Sequence, residues 1–106
     1  MDIISYIRET LEHSDKVYIS IDMDVFDPAY APGVSNPEAL GIDTKTFFTL
    51  LTGIVEAIAD KNNSIAAVDI VETNPLVDVN NVTSVLAARI VIEVTALLHT
   101  RLHGQA

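Results

Sequence analysis

The chain has 106 residues, of which 49% are hydrophobic, and this composition excludes a disordered protein. Six Lys and Arg against 15 Asp and Glu give a formal net charge of -9 at pH 7, which disfavours nucleic acids and anionic membranes as partners and favours a metal ion or a cationic substrate. The absence of cysteine excludes disulfides and thiolate zinc sites.

The N-terminal segment predicts neither a signal peptide nor a transit peptide, because residues 1–15 carry acids and lack a long apolar core. We expect no apolar run of the ~20 residues that a bilayer span needs. The sequence therefore predicts a cytoplasmic protein with no membrane contact.

The first two predicted elements are an amphipathic helix over residues 2–13 and a buried strand over 16–21. Apolar residues recur at helical spacing in the first segment: Ile3, Ile4, Ile7 and Leu11. The second segment is short and rich in β-branched residues, and it ends at Asp22.

A long loop over residues 23–42 follows, because three prolines and two glycines interrupt any regular element there. Asp43 is placed to cap the next helix, which closes at 61–63. One apolar stripe supports that helix: Phe47, Leu51, Ile54 and Ile58.

A second apolar run of strand length spans residues 65–72, and Asn74 and Pro75 stop it. Residues 81–102 predict a final helix by their length, although their β-branched residues also suit a strand. The order of helices and strands predicts an α/β fold with a parallel sheet and right-handed crossovers. Because two strands are too few for such a sheet, we expect part of a doubly wound, three-layer αβα domain.

Acidic side chains stand at both predicted strand ends. Asp22 and Asp24 follow the first strand, and Glu72 closes the second, so all three are expected at one edge of the sheet. In an extended segment the first two point the same way and can hold one or two cations. A solvated turn is the alternative, which the preceding strand, Asp27 and the Pro/Gly loop disfavour.

Three other site assignments are weaker. An EF-hand loop starting at Asp22 is excluded, because Asp27 and Gly33 stand where that loop needs glycine and glutamate. Asp69, within the second strand, is predicted to be a buried structural acceptor. His99 and His103 have zinc-binding spacing, but the motif glutamate and a third ligand are missing.

The segments SIDMDVFDPAYAPG (20–33), VSNPEALG (34–41) and DIVETNPLVD (69–78) resemble signatures of the ureohydrolase superfamily, which comprises arginases, agmatinases and formimidoylglutamases. The resemblance implies an arginase-like fold and a binuclear Mn²⁺ centre that hydrolyses linear guanidino or amidino compounds. It implies Asp22 and Asp24 as manganese ligands, Glu72 as the acid that holds the cationic substrate, and Asp27 as a support of the loop.

The remaining metal ligands and the acid-base histidine of that family match nothing in this chain, whose histidines are His13, His99 and His103. We therefore expect residues 1–106 to be the C-terminal portion of a single ureohydrolase domain, inactive without its upstream half and prone to form homo-oligomers. The acidic balance and the loop 34–41 favour agmatine over arginine or formimidoylglutamate as substrate.

Two other functions stay open at this stage. Asp22 and Asp24 also fit the first motif of haloacid-dehalogenase-type phosphatases, as nucleophile and general acid, but the later acidic pair of that class is missing. A non-catalytic assembly module is the second alternative, with the apolar C-terminal helix as its contact surface.

Overall fold

Two parallel β-strands form the centre of the fold, and the α-helices in the described residues pack against one face of them. The computed structural model describes residues 2–13, 16–61 and 64–103, with side chains as far as residue 100. The strands are β1 (Lys16–Asp22) and β2 (Ser64–Val71), and the helices are α1 (Ile3–Leu11), α2 (Thr44–Asp60) and α3 (Val82–His103). This order confirms the predicted α/β class.

Aspartate caps fix the beginnings of the first two helices. Asp2 Oδ1 accepts a hydrogen bond from the Ser5 amide at 2.8 Å, and Asp43 Oδ1 accepts one from the Thr46 amide at 2.6 Å. Such caps satisfy backbone donors that have no partner inside the helix. The predicted cap at Asp43 is therefore confirmed, whereas residues 62–63 of the predicted helix end lie outside the described residues.

α3 is apolar on nearly all sides, but only one side is buried. Ile90 is 0% exposed, whereas Ile92, two residues along, is 63% exposed. By length and composition alone Val82–Thr100 would suffice to cross a membrane, with a mean hydropathy of 1.6 and 17% of the most apolar stretch buried. The expectation of no such run was wrong, because Arg89 and Glu93 are diluted by the apolar residues around them. A helix in the core of a soluble protein meets the same criterion.

The pairing of β1 with β2 gives the sheet two different faces. Ser20 pairs with Asp69 and Ile21 with Ile70, after a register shift between Val17 and Tyr18 that leaves one extra residue in β2. Apolar side chains of both strands pack against the helices: Val17, Ile19, Ile21, Ile65, Val68 and Ile70. The opposite face is largely polar and exposed, which we call the open face: Lys16, Tyr18, Ser20, Asp22, Ala67, Asp69 and Val71.

The predicted loop between β1 and α2 is a packed segment. It begins with a short 3₁₀ turn, Met23–Val25, and Phe26 then pairs with Ile42 through an isolated bridge. Phe26 is buried against Phe47 of α2, with ring centroids 4.8 Å apart. Gly41 lies so close to this pairing that a Cβ there would stand 2.4 Å from the Asp27 nitrogen. The loop is therefore held by the core.

Candidate metal and substrate site

Asp22 and Asp24 lie side by side at the carboxyl end of β1. The strand ends at Asp22, and the Asp24 amide donates a hydrogen bond to Asp22 Oδ1 at 3.0 Å as the 3₁₀ turn begins. The prediction that an extended backbone aligns the two carboxylates was wrong, because the short Asp22 side chain caps the turn instead. The turn still keeps both acids together.

The electrostatics of this pair favour a cation. The half-buried position of Asp24 raises the pKa of its carboxyl, and so do a hydrogen bond between the Asp24 and Asp22 side chains and the negative charge of Asp22. The charges of Glu72 and Glu38 raise the same pKa further. Each of these causes disfavours the carboxylate form unless a positive charge is present. The structure thus brings the three acids predicted from sequence into one electrostatic neighbourhood.

Glu72 occupies an unusual backbone position immediately after β2. Its φ of 74° lies in the left-handed region, which costs energy for any residue with a Cβ. The next residue, Thr73, forms an antiparallel bridge with Val34 of the segment that follows Asp24. Strain of this kind is commonly held at functional sites by the surrounding structure. Two loops that follow different strands are therefore joined beside Glu72.

Asp27 and Asp69 have structural partners. Asp27 Oδ1 accepts a hydrogen bond from the Ala29 amide at 2.9 Å, which supports the loop as predicted. Asp69 accepts hydrogen bonds from the Ser20 hydroxyl at 2.6 Å and from the Tyr18 hydroxyl, and these bonds lower the pKa of Asp69. The bond to Asp69 raises the pKa of Tyr18. The predicted acceptor role of Asp69 is confirmed, but its predicted burial was wrong, because the residue is only half-buried on the open face.

The histidine pair adds no metal site to the part of the chain that is described. His99 is exposed on α3, and the side chain of His103 lies outside the described residues. Within the described ranges, no group of three or more His, Cys, Asp or Glu side chains could hold a metal ion. Asp22 and Asp24 thus offer at most two metal-binding side chains from this part of the protein.

Sequence reasoning missed several residues around the site. Glu38, in the segment NPEALG, was not selected, although its charge raises the pKa of Asp24. Asp78 and Thr83 were also missed. An aspartate shortly before a helix was the available signal for Asp78, since this residue type caps helix beginnings.

The sequence profile described as the Arginase family matches residues 1–97. This chain belongs to the arginase family. It is 40% identical over 86 residues to the formimidoylglutamase of Rhodococcus opacus. That alignment covers 81% of this chain and 25% of the relative. It is also 40% identical over 94 residues to the agmatinase of Bacillus anthracis. This second alignment covers 87% of this chain and 31% of the relative.

The arginase family member also matches solved structures. The agmatine ureohydrolase of Thermoplasma volcanium superposes with a TM-score of 0.67 at 39% identity, over 93% of this chain and 32% of that one. These matches confirm the arginase-like αβα fold. They give no support to the phosphatase alternative. The chain spans about a quarter to a third of the length of the curated relatives named above.

Proposed function

We propose that this chain carries one side of the active site of a metal-dependent hydrolase that cleaves linear guanidino or amidino compounds. One observation carries the proposal: at the carboxyl ends of two neighbouring parallel strands, Asp22 and Glu72 both stand close enough to Asp24 for their charges to raise its pKa. Ligand sites in open parallel sheets lie at this edge. Membership of the arginase family supports the same class of reaction.

The donor set at Asp22 and Asp24 fits manganese. Both side chains offer carboxylate oxygens, which suit Mn²⁺, and their mutual repulsion is relieved by a cation. Two Mn²⁺ ions bound there would supply Lewis acidity and lower the pKa of a water molecule. Asp22 and Asp24 would hold one side of that pair, and the upstream half of the enzyme would supply the other ligands.

Glu72 would bind and orient the substrate. A guanidinium or amidinium group is planar and cationic, and a carboxylate accepts two parallel hydrogen bonds from it. The exposed position of Glu72 beside the acidic pair suits this role. The net charge of -9 supports agmatine, a dication that would give urea and putrescine, ahead of arginine and formimidoylglutamate.

The decisive experiment supplies the missing half. The 106-residue chain is assayed for urea release from agmatine in Mn²⁺ buffer, alone and with the upstream part of the B. anthracis agmatinase. We expect activity only in the combination. Activity of the chain alone at ordinary enzymatic rates would contradict the proposed division of the site, and lack of any amidine hydrolysis in a folded combination would contradict the function.

Substitutions separate the two roles within the combination. Glu72→Gln should lower kcat/KM by roughly 10–100-fold, the loss of one charge-assisted interaction, at unchanged manganese content. Asp24→Asn should lower the manganese content itself. Glu9→Gln on α1 is the matched control and should leave both quantities unchanged. Normal kinetics of the Glu72 variant would show that another group binds the substrate.

A further inference from the structure

Three segments meet at the beginning of α3, and one buried hydroxyl joins two of them. The Thr83 side chain is buried, and its Oγ1 accepts a hydrogen bond from the Gly33 amide at 2.8 Å. The Gly33 carbonyl in turn accepts one from the Asn74 amide at 2.7 Å. The segment after Asp24 is thereby attached to α3 and to the segment after Glu72.

The Asp78 carboxylate lies at the same junction, where the Gly33 segment, the Asn74 segment and the beginning of α3 meet. It accepts hydrogen bonds from the Val79, Thr83 and Ser84 amides at 2.9–3.1 Å and from the Ser84 hydroxyl at 3.3 Å. Gly33 lies directly against it, since a Cβ on Gly33 would stand 2.6 Å from Asp78 Cγ. Asp78 therefore fixes both the first turn of α3 and the position of the Gly33 segment.

The junction is continuous with the backbone of Glu72. Val34, next to Gly33, forms the bridge with Thr73, next to Glu72, whose φ is 74°. Asn74 adds a side-chain hydrogen bond to Ser35 Oγ at 3.1 Å. A left-handed φ persists only where neighbouring contacts hold it. Gly33, Thr83 and Asp78 thus form one connected set of contacts that reaches the backbone beside Glu72 from outside its own strand.

We propose that Asp78 and Thr83 are positioning residues that hold the strained Glu72 backbone against the loop bearing Asp24. Neither residue touches the substrate. They act through Gly33 and Asn74, and they set where the Glu72 carboxylate stands relative to the acidic pair. The consequence for catalysis rests on the proposed function, but the positioning itself is a property of the isolated chain.

The test uses the labelled 106-residue chain in solution without metal. NMR measures amide hydrogen exchange at Gly33 and Asn74, and J couplings with residual dipolar couplings report the φ of Glu72. The variants are Asp78→Asn, Thr83→Val, which keeps the shape but loses the hydroxyl, and Thr83→Ser, which keeps the hydroxyl. Asp43→Asn is the matched control, because it makes the same substitution at the aspartate that caps α2.

Asp78→Asn and Thr83→Val should accelerate exchange at Gly33 and Asn74 roughly tenfold, the effect of one lost hydrogen bond on a local opening, and should change the φ-sensitive couplings of Glu72. Thr83→Ser, which keeps the hydroxyl, should leave the exchange rates and the Glu72 couplings at their wild-type values. Asp43→Asn should leave the Glu72 couplings unchanged, and it should cost little stability because asparagine caps helices about as well as aspartate. If Asp78→Asn does not fold, the Thr83 pair decides the question.

Unchanged Glu72 couplings in folded Thr83→Val would overturn the proposal, as would an identical change in the Asp43 control. Because the readout needs neither manganese nor substrate, it separates this inference from the proposed function. Altered couplings in a chain that fails in the urea assay would leave the positioning role standing and the function refuted. Unaltered couplings in a chain that is active with its upstream half would refute the positioning role and leave the proposed function standing.

Discussion

Among the exposed residues with a positive φ, Glu72 and Leu40 stand on backbone that glycine would adopt more easily. Glu72 has a φ of 74° and Leu40 a φ of 63°, and Leu40 is 96% exposed. A residue with a Cβ costs about 1–2 kcal/mol in this region relative to the right-handed one. Glycine recovers most of that cost and loses part of it through its freer unfolded state.

Replacing Glu72 with glycine should therefore stabilise the isolated chain by about 0.5–1 kcal/mol, even though it removes the carboxylate that we propose binds the substrate. Urea unfolding curves measure the change. Leu40→Gly is the matched comparison and should stabilise by a similar amount, because the exposed leucine gives up little packing. Destabilisation of the Glu72 variant alone would indicate that its side chain contributes to the fold.

The identities of Asp22, Asp24 and Glu72 could be predicted from sequence because strand ends and acidic residues are local features. Their geometry could not. The backbone at Glu72 depends on a bridge between Thr73 and Val34, which are 39 positions apart in the sequence. The contribution of Glu38 to the electrostatics of Asp24 depends on the same kind of loop folding.

Among the elements, α3 shows how little the sequence alone reveals about which side of an apolar helix is buried. Ile90 packs in the core with Met23 and Phe26, whereas Ile92 points away from it. Both are isoleucines in the same β-branched run. The inward side was set by tertiary packing against α2 and the loop, which no periodicity in α3 discloses.

Ile90→Ala should destabilise the chain by about 2–5 kcal/mol, because it leaves a cavity in the core. Ile92→Ala, the same substitution on the exposed side, should change stability by less than about 0.5 kcal/mol. Chemical denaturation followed by circular dichroism compares the two. Equal losses would mean that the outward side of α3 is also covered in solution.

The beginning of α3 should also show a defined pH dependence. Hydrogen bonds from Thr83 and Ser84 lower the pKa of Asp78 to about 2, overcoming the opposite effect of burial. Since the pKa is lower in the folded state than in the unfolded state, the Asp78 contribution is fully present above about pH 4 and is lost as the pH falls towards 2.

Wild type and Asp78→Asn should therefore differ in stability at pH 6 and converge near pH 2. Thermal unfolding at both pH values measures this difference. Asp43→Gln serves as a reference for the stability lost in acid at another helix cap. The hydrogen bond that Asp43 accepts from the Thr46 amide also lowers the pKa of Asp43. A difference between wild type and the Asp78 variant that stays constant down to pH 2 would contradict the assignment.

On the scale of the whole molecule, the open face of the sheet is the largest departure from a finished layer structure. The sequence predicted an incomplete domain, because two parallel strands cannot form a complete αβα domain, but it did not predict that one face of the sheet would be left open. Within the described residues, α1, α2 and α3 all pack on the opposite face of the sheet. Which surface covers the open face could not be predicted from composition.

We expect the isolated chain to be oligomeric in solution, because unpaired strand edges and exposed apolar side chains promote association. Light scattering measures the mass. Val71→Lys on the open face should shift the distribution towards monomer, whereas Val79→Lys, at a more exposed valine outside the sheet, should not. A stable wild-type monomer would contradict the expectation.

The register shift in the sheet also determines where the protein tolerates a change in length. Val17 pairs with Ile65 and Tyr18 with Ala67, so β2 carries one alanine more than a regular ladder requires. Loss of one alanine at 66 or 67 would leave Val68 and Ile70 facing the helices. Loss of any single residue after Val68 would invert the remaining strand and carry Glu72 to the wrong side. The two alanines thus form a spacer, and the four positions between that spacer and Glu72 have a fixed count.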